Sequence, residues 1–526
     1  MLNRENKRDQ IVPHDCCCCP HPLPEEADET GVNRREFMTL AGTLAAAGAV
    51  LTPAIGLAVG GAKDRPRQQP IHLPLKVQPV FHCNVDDRKE ATSWRYSGAI
   101  HSEAEIRDEE AVIRRELAEL AASVDFPMEI LPLATVRDAE QAAAVIKRDY
   151  DAMLIYGARR DAAVVEVLAA KDKWNLMFVR HRSGPLYYMY VGVHAHVLRK
   201  TGDEFAAKGL DLSDVVVDDY AELRWRLRAL AGLKNTLGKR VVVIGAPSGW
   251  SAVVSGAPER AESTWKMDLR VVSYEEVEER IKKAQANTIL VNDCRAAAEK
   301  YLKDGSVTLE TKREFVDKAF LLTEVFRDLL DEAQTDAITI RGCMRTIMPI
   351  SGTTACMPLS ILNDEGYLAH CESDFVCIPA GTLLREISGL PFFFCNPSMP
   401  HQGVVTALHC TAPRKMDGKR AEPVRIVTHY ESDFGAAPHV DMKKGQKITV
   451  IDADFHGRRW LGFRGEIIDT PFFPVCRTQL DIRMFGDWNR ITEEIRGWHW
   501  MIAYGDHLRE VGYALKKTGI DWLAIT

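Results

Sequence analysis

Charge of one sign is scarce in this 526-residue chain: 67 Lys and Arg stand against 74 Asp and Glu, a formal net charge of −7. That balance offers no electrostatic footprint for nucleic acid, so a polyanion is not an expected partner. With 46% hydrophobic and 27% charged residues, the composition also excludes coiled coil, collagen and wholesale disorder. A nucleotide fingerprint is missing: the turn Gly245-Ala246-Pro247-Ser248-Gly249 is not GxGxxG, and no Walker lysine follows it. Paired CxxC spacing is missing beyond residue 19. Of the 13 cysteines, four are consecutive at 16–19, and the other nine are scattered, so no disulfide framework of a small secreted domain is present.

The first 62 residues read as an address. Arg34-Arg35 precede a mildly apolar stretch rich in Ala, Gly and Leu, which runs to Val59 and exits through Gly60-Gly61-Ala62. This pattern resembles a twin-arginine export signal, and the paired arginines and the small residues favour that over a membrane anchor of bilayer-spanning length. The expected location is periplasmic or exported, or cytoplasmic if the signal is not used. No stable membrane insertion is expected once the signal is removed. The cysteine run at 16–19, flanked by His14 and His21, is either a soft-metal ligand set or part of an extension that Pro13, Pro20, Pro22 and Pro24 keep irregular.

Beyond residue 70 short apolar runs alternate with amphipathic ones. Strands are expected at 75–82, 128–133, 152–156 and 176–180, with helices at 103–123, 137–148 and 162–170 between them. This βαβα order predicts a parallel sheet with helices on both faces. A second unit starts with the buried strand 239–245, continues with strands at 269–272 and 289–291, and has a helix at 274–284. After about residue 400 strands at 426–429, 447–455, 465–468 and 479–484 dominate, and one helix, 507–517, closes the chain between Asp506 as N-cap and Gly519 as stop. The expected fold class is α/β: two consecutive three-layer Rossmann- or flavodoxin-like domains, 70–235 and 236–400, and a mainly β C-terminal domain, 401–526.

Residues with chemical potential are densest between 362 and 413. Glu372 and Asp374, at i and i+2, would face one side of an extended strand and could share a cation or a proton. The pattern His370-Cys371-Glu372-Ser373-Asp374-Phe375 is echoed by His429-Tyr430-Glu431-Ser432-Asp433-Phe434. His409 is either a site residue or a satisfied core histidine. Cys371, Cys395 and Cys410 could form a thiolate site or serve as small buried hydrophobes.

Several motifs taken in order resemble the sugar isomerase superfamily that includes L-fucose isomerase and L-arabinose isomerase, in its fucose-isomerase-like branch. They are Leu362-Asn363-Asp364-Glu365-Gly366, Cys371-Glu372-Ser373-Asp374, Ser388-Gly389-Leu390-Pro391, His409-Cys410-Thr411-Ala412-Pro413, and Trp498-His499-Trp500 before Tyr504-Gly505-Asp506. The resemblance implies a homo-oligomeric, metal-dependent aldose–ketose isomerase acting through an enediol on a small sugar, a deoxyhexose or a pentose. The implied cofactor is a divalent metal, Mn2+ by family habit. Carried over, Glu372, Asn396 and His499 are metal ligands, Glu372 and Asp374 the catalytic carboxylates, and His409, Glu431 and Trp498 substrate contacts. Asn396 departs from the family, which has a second carboxylate there; an amide oxygen can coordinate a metal but cannot take up a proton at neutral pH. The alternatives are therefore an exported carbohydrate-binding relative without isomerase catalysis, or a metal-assisted epimerase or lyase.

Overall fold

The computed structural model describes residues 69–169, 172–199 and 209–526, and the leader lies outside them. Among the described residues no helix is long and apolar enough to cross a membrane.

Continuous apolar runs dictate the first sheet. Strands β1 (Leu75–His82), β2 (Met128–Ile130), β3 (Ala134–Val136), β4 (Ala152–Gly157), β5 (Trp174–Val179) and β6 (Val215–Val217) pair in parallel in the order β2-β1-β4-β5-β6. All of β4 is buried, as a parallel sheet covered on both faces requires. The single strand expected at 128–133 is instead two. Leu131 still donates its N–H to Val77 O at 2.9 Å, Pro132 has no N–H to offer, and β3 rejoins the C-terminal half of β1.

The second sheet is also parallel. Strands β7 (Arg240–Ile244), β8 (Asp268–Val272), β10 (Ala337–Ile340) and β11 (Leu368–His370) are ordered β11-β10-β7-β8. The strand expected at 289–291 is corrected to a helix, Thr288–Leu302, whose N-terminus is capped by Asn287 accepting from Leu290 N. Between β8 and β10 the short strand β9 (Val307–Leu309) leaves for another sheet. The two parallel sheets are joined by helices Tyr220–Thr236 and Ile378–Ser388, which cross so closely at Gly232 that a Cβ there would lie 2.4 Å from Ile387 Cγ1. One apolar core runs from β1 through both helices to the last helix, Leu508–Thr518.

The C-terminal region contains a β-barrel. Its strands are β12 (Phe393–Pro397), β13 (Val404–His409), β16 (Lys447–Asp452), β17 (Arg459–Asp469), β18 (Thr478–Met484) and β19 (Trp500–Tyr504). They run β16-β19-β12-β13-β18-β17, and antiparallel pairing of β16 with β17 closes the ring, while β20 (Asp521–Ile525) lies parallel beside β17. The hairpin β14 (Val424–His429) and β15 (Phe434–Val440) takes β9 as a parallel third strand. The barrel thus begins with β12, before residue 400. The closing helix ends as expected at Gly519, φ +77°, but the residue at its N-cap is His507, while Asp506 accepts from Leu508 N at 3.4 Å and from Arg464 Nη1 at 3.2 Å.

Candidate active site

The site forms where the carboxyl edge of the second parallel sheet meets three adjacent barrel strands. In open parallel sheets that edge is the usual place for a ligand. β11 ends at His370, and the following turn carries Glu372, Ser373 and Asp374. Glu372 and Ser373 both adopt left-handed backbone conformations, φ +64° and +50°. The extended-strand geometry expected for Glu372 and Asp374 is therefore corrected: they lie in a tight turn and reach their common neighbour from different directions. The turn is held by Ser373 N donating to Thr339 Oγ1 at 3.1 Å, and by a bridge in which Phe375 N donates to Ser248 O at 2.9 Å.

That common neighbour is His499, fully buried at the entrance to β19. Its Nδ1 lies 2.7 Å from Asp374 Oδ2, and its Nε2 lies 3.3 Å from Glu372 Oε2. Asp374 is itself locked, accepting from Val376 N at 3.1 Å and from the Cys377 thiol at 3.4 Å. Glu372 is held at its other oxygen, Oε1, 3.2 Å from His409 Nε2, while His409 Nδ1 lies 3.0 Å from Thr411 Oγ1. Burial opposes a charge on His499, but the Glu372 and Asp374 carboxylates outweigh it and raise its pKa to about 9.

Among the described residues, the buried polar atoms here without a hydrogen-bond partner are Glu372 Oε2, Ser373 Oγ, His499 Nε2 and Asn396 Oδ1, with both ring nitrogens of His370 beside them. Of these, Glu372 Oε2 and His499 Nε2 face each other as an ion pair at 3.3 Å. Buried polar groups are nearly always satisfied, so the leftover Asn396 oxygen, and a Glu372–His499 pair whose facing atoms have only each other, leave ligand capacity unused. Asn396 lies on β12, where its amide nitrogen donates to Trp498 O at 3.2 Å and its oxygen is left over. By strand alternation Asn396 shares its face of β12 with Phe394, whose ring centroid is 4.4 Å from that of His499 and 4.8 Å from that of His409. Among the described residues, two trios of Cys, His, Asp and Glu have ligand atoms within 4.8 Å of one another: Cys371, Glu372 and His409, and Asp374, Cys377 and His499.

A cleft opens beside Glu372 and His409, walled by thiols and thioethers including Cys343, Met344, Met348, Cys356, Cys371 and Cys410. Trp498 is 43% exposed and stacks on Trp250 with ring centroids 6.2 Å apart, forming an aromatic shelf next to His499. Glu431 lies exposed in the turn between β14 and β15 and does not line the cleft. Cys395 does not join Cys371 and Cys410; its thiol faces the barrel core, 3.6 Å from Trp500 O.

Sequence reasoning missed the groups that hold these side chains. Asp452, at the end of β16, accepts from Arg496 N and Gly497 N, each at 2.7 Å, and so fixes the segment that delivers Trp498 and His499. Burial lifts its pKa to about 7, against the pull of those N–H groups. Gly497 was the available signal: a Cβ there would stand 2.6 Å from Asp452 Oδ1. Asn363 and Asp364 of the 362–366 motif are braces. Asn363 bonds both backbone groups of Ala369 in β11, at 2.8 and 3.0 Å, and Asp364 accepts from Lys415 N at 2.6 Å.

No family model matches the chain. It is similar to the sulfoquinovose isomerase of Clostridium sp. (strain MSTE9), with 26% identity over 227 residues, 41% of this chain. The match spans 49% of that protein, about half its length.

Proposed function

We propose that this chain is a metal-dependent aldose–ketose isomerase. The observation that carries the reading is the buried pair Glu372 Oε2 and His499 Nε2, 3.3 Å apart with only each other as partner, beside an Asn396 Oδ1 that has none. A carboxylate oxygen, an amide oxygen and an imidazole nitrogen suit a cation of the manganese class. Held by Glu372, Asn396 and His499, such a cation supplies stabilisation of the charge that develops on two neighbouring sugar oxygens.

Asp374, on Nδ1 of His499, fixes the ring's orientation and leaves Nε2 turned toward Glu372. His409, on Oε1, fixes the Glu372 carboxylate. Glu372 is the base that takes the proton from C2 of the sugar and returns it at C1, passing through the enediol. Trp498 and Trp250 offer apolar ring faces to the carbon side of the sugar. The relative's printed name extends the candidate substrates from deoxyhexoses and pentoses to sulfoquinovose.

The test is incubation of the purified protein with Mn2+ and a panel of L-fucose, L-arabinose, L-rhamnose and sulfoquinovose, with products read by NMR. Ketose from at least one sugar, lost in Glu372→Gln, is the expected result; no turnover of any sugar would sink the proposal. A second reading, carbohydrate binding without catalysis, is favoured by one observation, the amide at Asn396. Metal-free sugar binding that survives Glu372→Gln would select it. The export address is tested separately, by fusing residues 1–66 to a reporter and locating it in periplasm or cytoplasm.

A further inference from the structure

Cys356, Cys410 and Cys476 come from separate elements and pack together with Ala437 in a small buried cluster beside the cleft. Cys356 opens the helix Cys356–Asp364, Cys410 follows the last residue of β13, and Cys476 precedes β18. Cys410 is the hub, its thiol in hydrogen-bond contact with Cys356, Cys476 and His429. The geometry is not that of a soft-metal centre. Among the described residues, the trios of donors within 4.8 Å of one another include neither Cys356 nor Cys476, so the thiols surround Cys410 instead of a common central point. All nine cysteines of the described residues are thiols, so no disulfide already joins any of the three to another residue.

Only two of the three reach the cleft. Cys356 and Cys410 both line it, whereas Cys476 is absent from the lining. Of the sulfurs an oxidant meets in the cleft wall, Cys356 and Cys410 are the two that also belong to this buried thiol cluster. We propose that Cys356 and Cys410 are an oxidative modification site: a hydroperoxide converts them to a reversible disulfide in the wall of the cleft.

The chemistry balances in two steps. Cys410 sulfur attacks one peroxide oxygen, the O–O bond breaks, and the departing hydroxide takes the thiol proton and leaves as water; sulfur is oxidised by two electrons to the sulfenic acid. Cys356 sulfur then attacks the sulfenic sulfur, the S–S bond forms, the S–O bond breaks, and the hydroxide leaves as a second water with the Cys356 proton. Overall two thiols and one hydrogen peroxide give one disulfide and two waters. The new bond lies one residue from His409, the side chain that holds Glu372 through Oε1.

The experiment uses the full-length reduced protein treated with hydrogen peroxide. Remaining thiols are then alkylated, and a non-reducing digest is read by mass spectrometry. A joined peptide containing Cys356 and Cys410, split again by dithiothreitol, is the expected result. It should persist in Cys476→Ser and vanish in Cys356→Ser. The proposal is overturned if both cysteines remain fully alkylatable after peroxide, if Cys410 is recovered as sulfinic acid with no partner, or if the wild-type partner of Cys410 is Cys476, Cys343 or Cys371. The readout needs no sugar and no metal, so its failure is distinct from failure of the isomerase reading.

Discussion

Two consecutive non-glycine residues with positive φ, Glu372 and Ser373, bend the chain just where the second sheet ends. Such conformations cost of order 1–3 kcal/mol each and persist only where the surroundings impose them. Here the imposed turn sends Glu372 to Nε2 of His499 and Asp374 to Nδ1. On the proposed function Asp374 is a positioning residue, held 2.7 Å from His499 Nδ1. Replacing it by Asn puts an amide opposite Nδ1, disturbs the tautomer, and is expected to lower Mn2+ affinity by about 10–100-fold, as for other partners of metal-bound histidines. Equilibrium titration of the Asp374→Asn protein checks this; unchanged affinity would remove Asp374 from the role. The raised pKa of His499, about 9, adds a pH signature. If His499 Nε2 holds the cation as proposed, the proton of the metal-free protein occupies the position the cation would take. Apparent Mn2+ affinity is thus expected to fall about tenfold per pH unit below about pH 9, and titrations at several pH values that give a flat affinity would contradict the assignment.

Elements position these residues through close contacts that tolerate little change. The crossing of Tyr220–Thr236 with Ile378–Ser388 leaves no room at Gly232, where a Cβ would also lie 3.1 Å from the Ile387 backbone nitrogen. Gly232→Val should cost about 1–3 kcal/mol by overpacking, seen as a lower denaturation midpoint. Because Ile378–Ser388 begins four residues after Asp374, the same variant should also weaken metal binding. Much at this scale was legible in the sequence. The strand Leu75–His82 and the helix Glu103–Ser123 match the expected ranges, since a continuous apolar run and a stripe of Ile106, Ile113, Leu117 and Leu120 are unambiguous. The run Ile289-Leu290-Val291 misled because a short apolar stretch fits strand and helix equally, and Asn287 as cap was the deciding group. The 371–374 segment misled for another reason: period-2 reasoning presumes extended backbone, and positive φ at Glu372 and Ser373 carries no sequence marker when glycine is absent.

Across the whole molecule, the parallel sheet contributes Glu372 and Asp374 and the barrel contributes Asn396, His409 and His499. These residues are separated by up to 127 positions in the chain, counting from Glu372 to His499. The barrel side of this convergence rests on the antiparallel pairing of β12 with β13 and with β19, and the pairing of β16 with β19 places Asp452 against the segment before His499. Such non-local pairing leaves no periodic trace, so the individual motifs were readable while their assembly was not. A cation at this junction would tie the two layers together. The most direct test of the account is therefore equilibrium binding of Mn2+ to the purified, metal-stripped protein and to its Glu372→Gln and His499→Gln variants. One ion per chain is expected in the wild type, with a loss of at least about tenfold in affinity in each variant; no binding, or binding that both variants retain in full, would rule out a cation held by these residues.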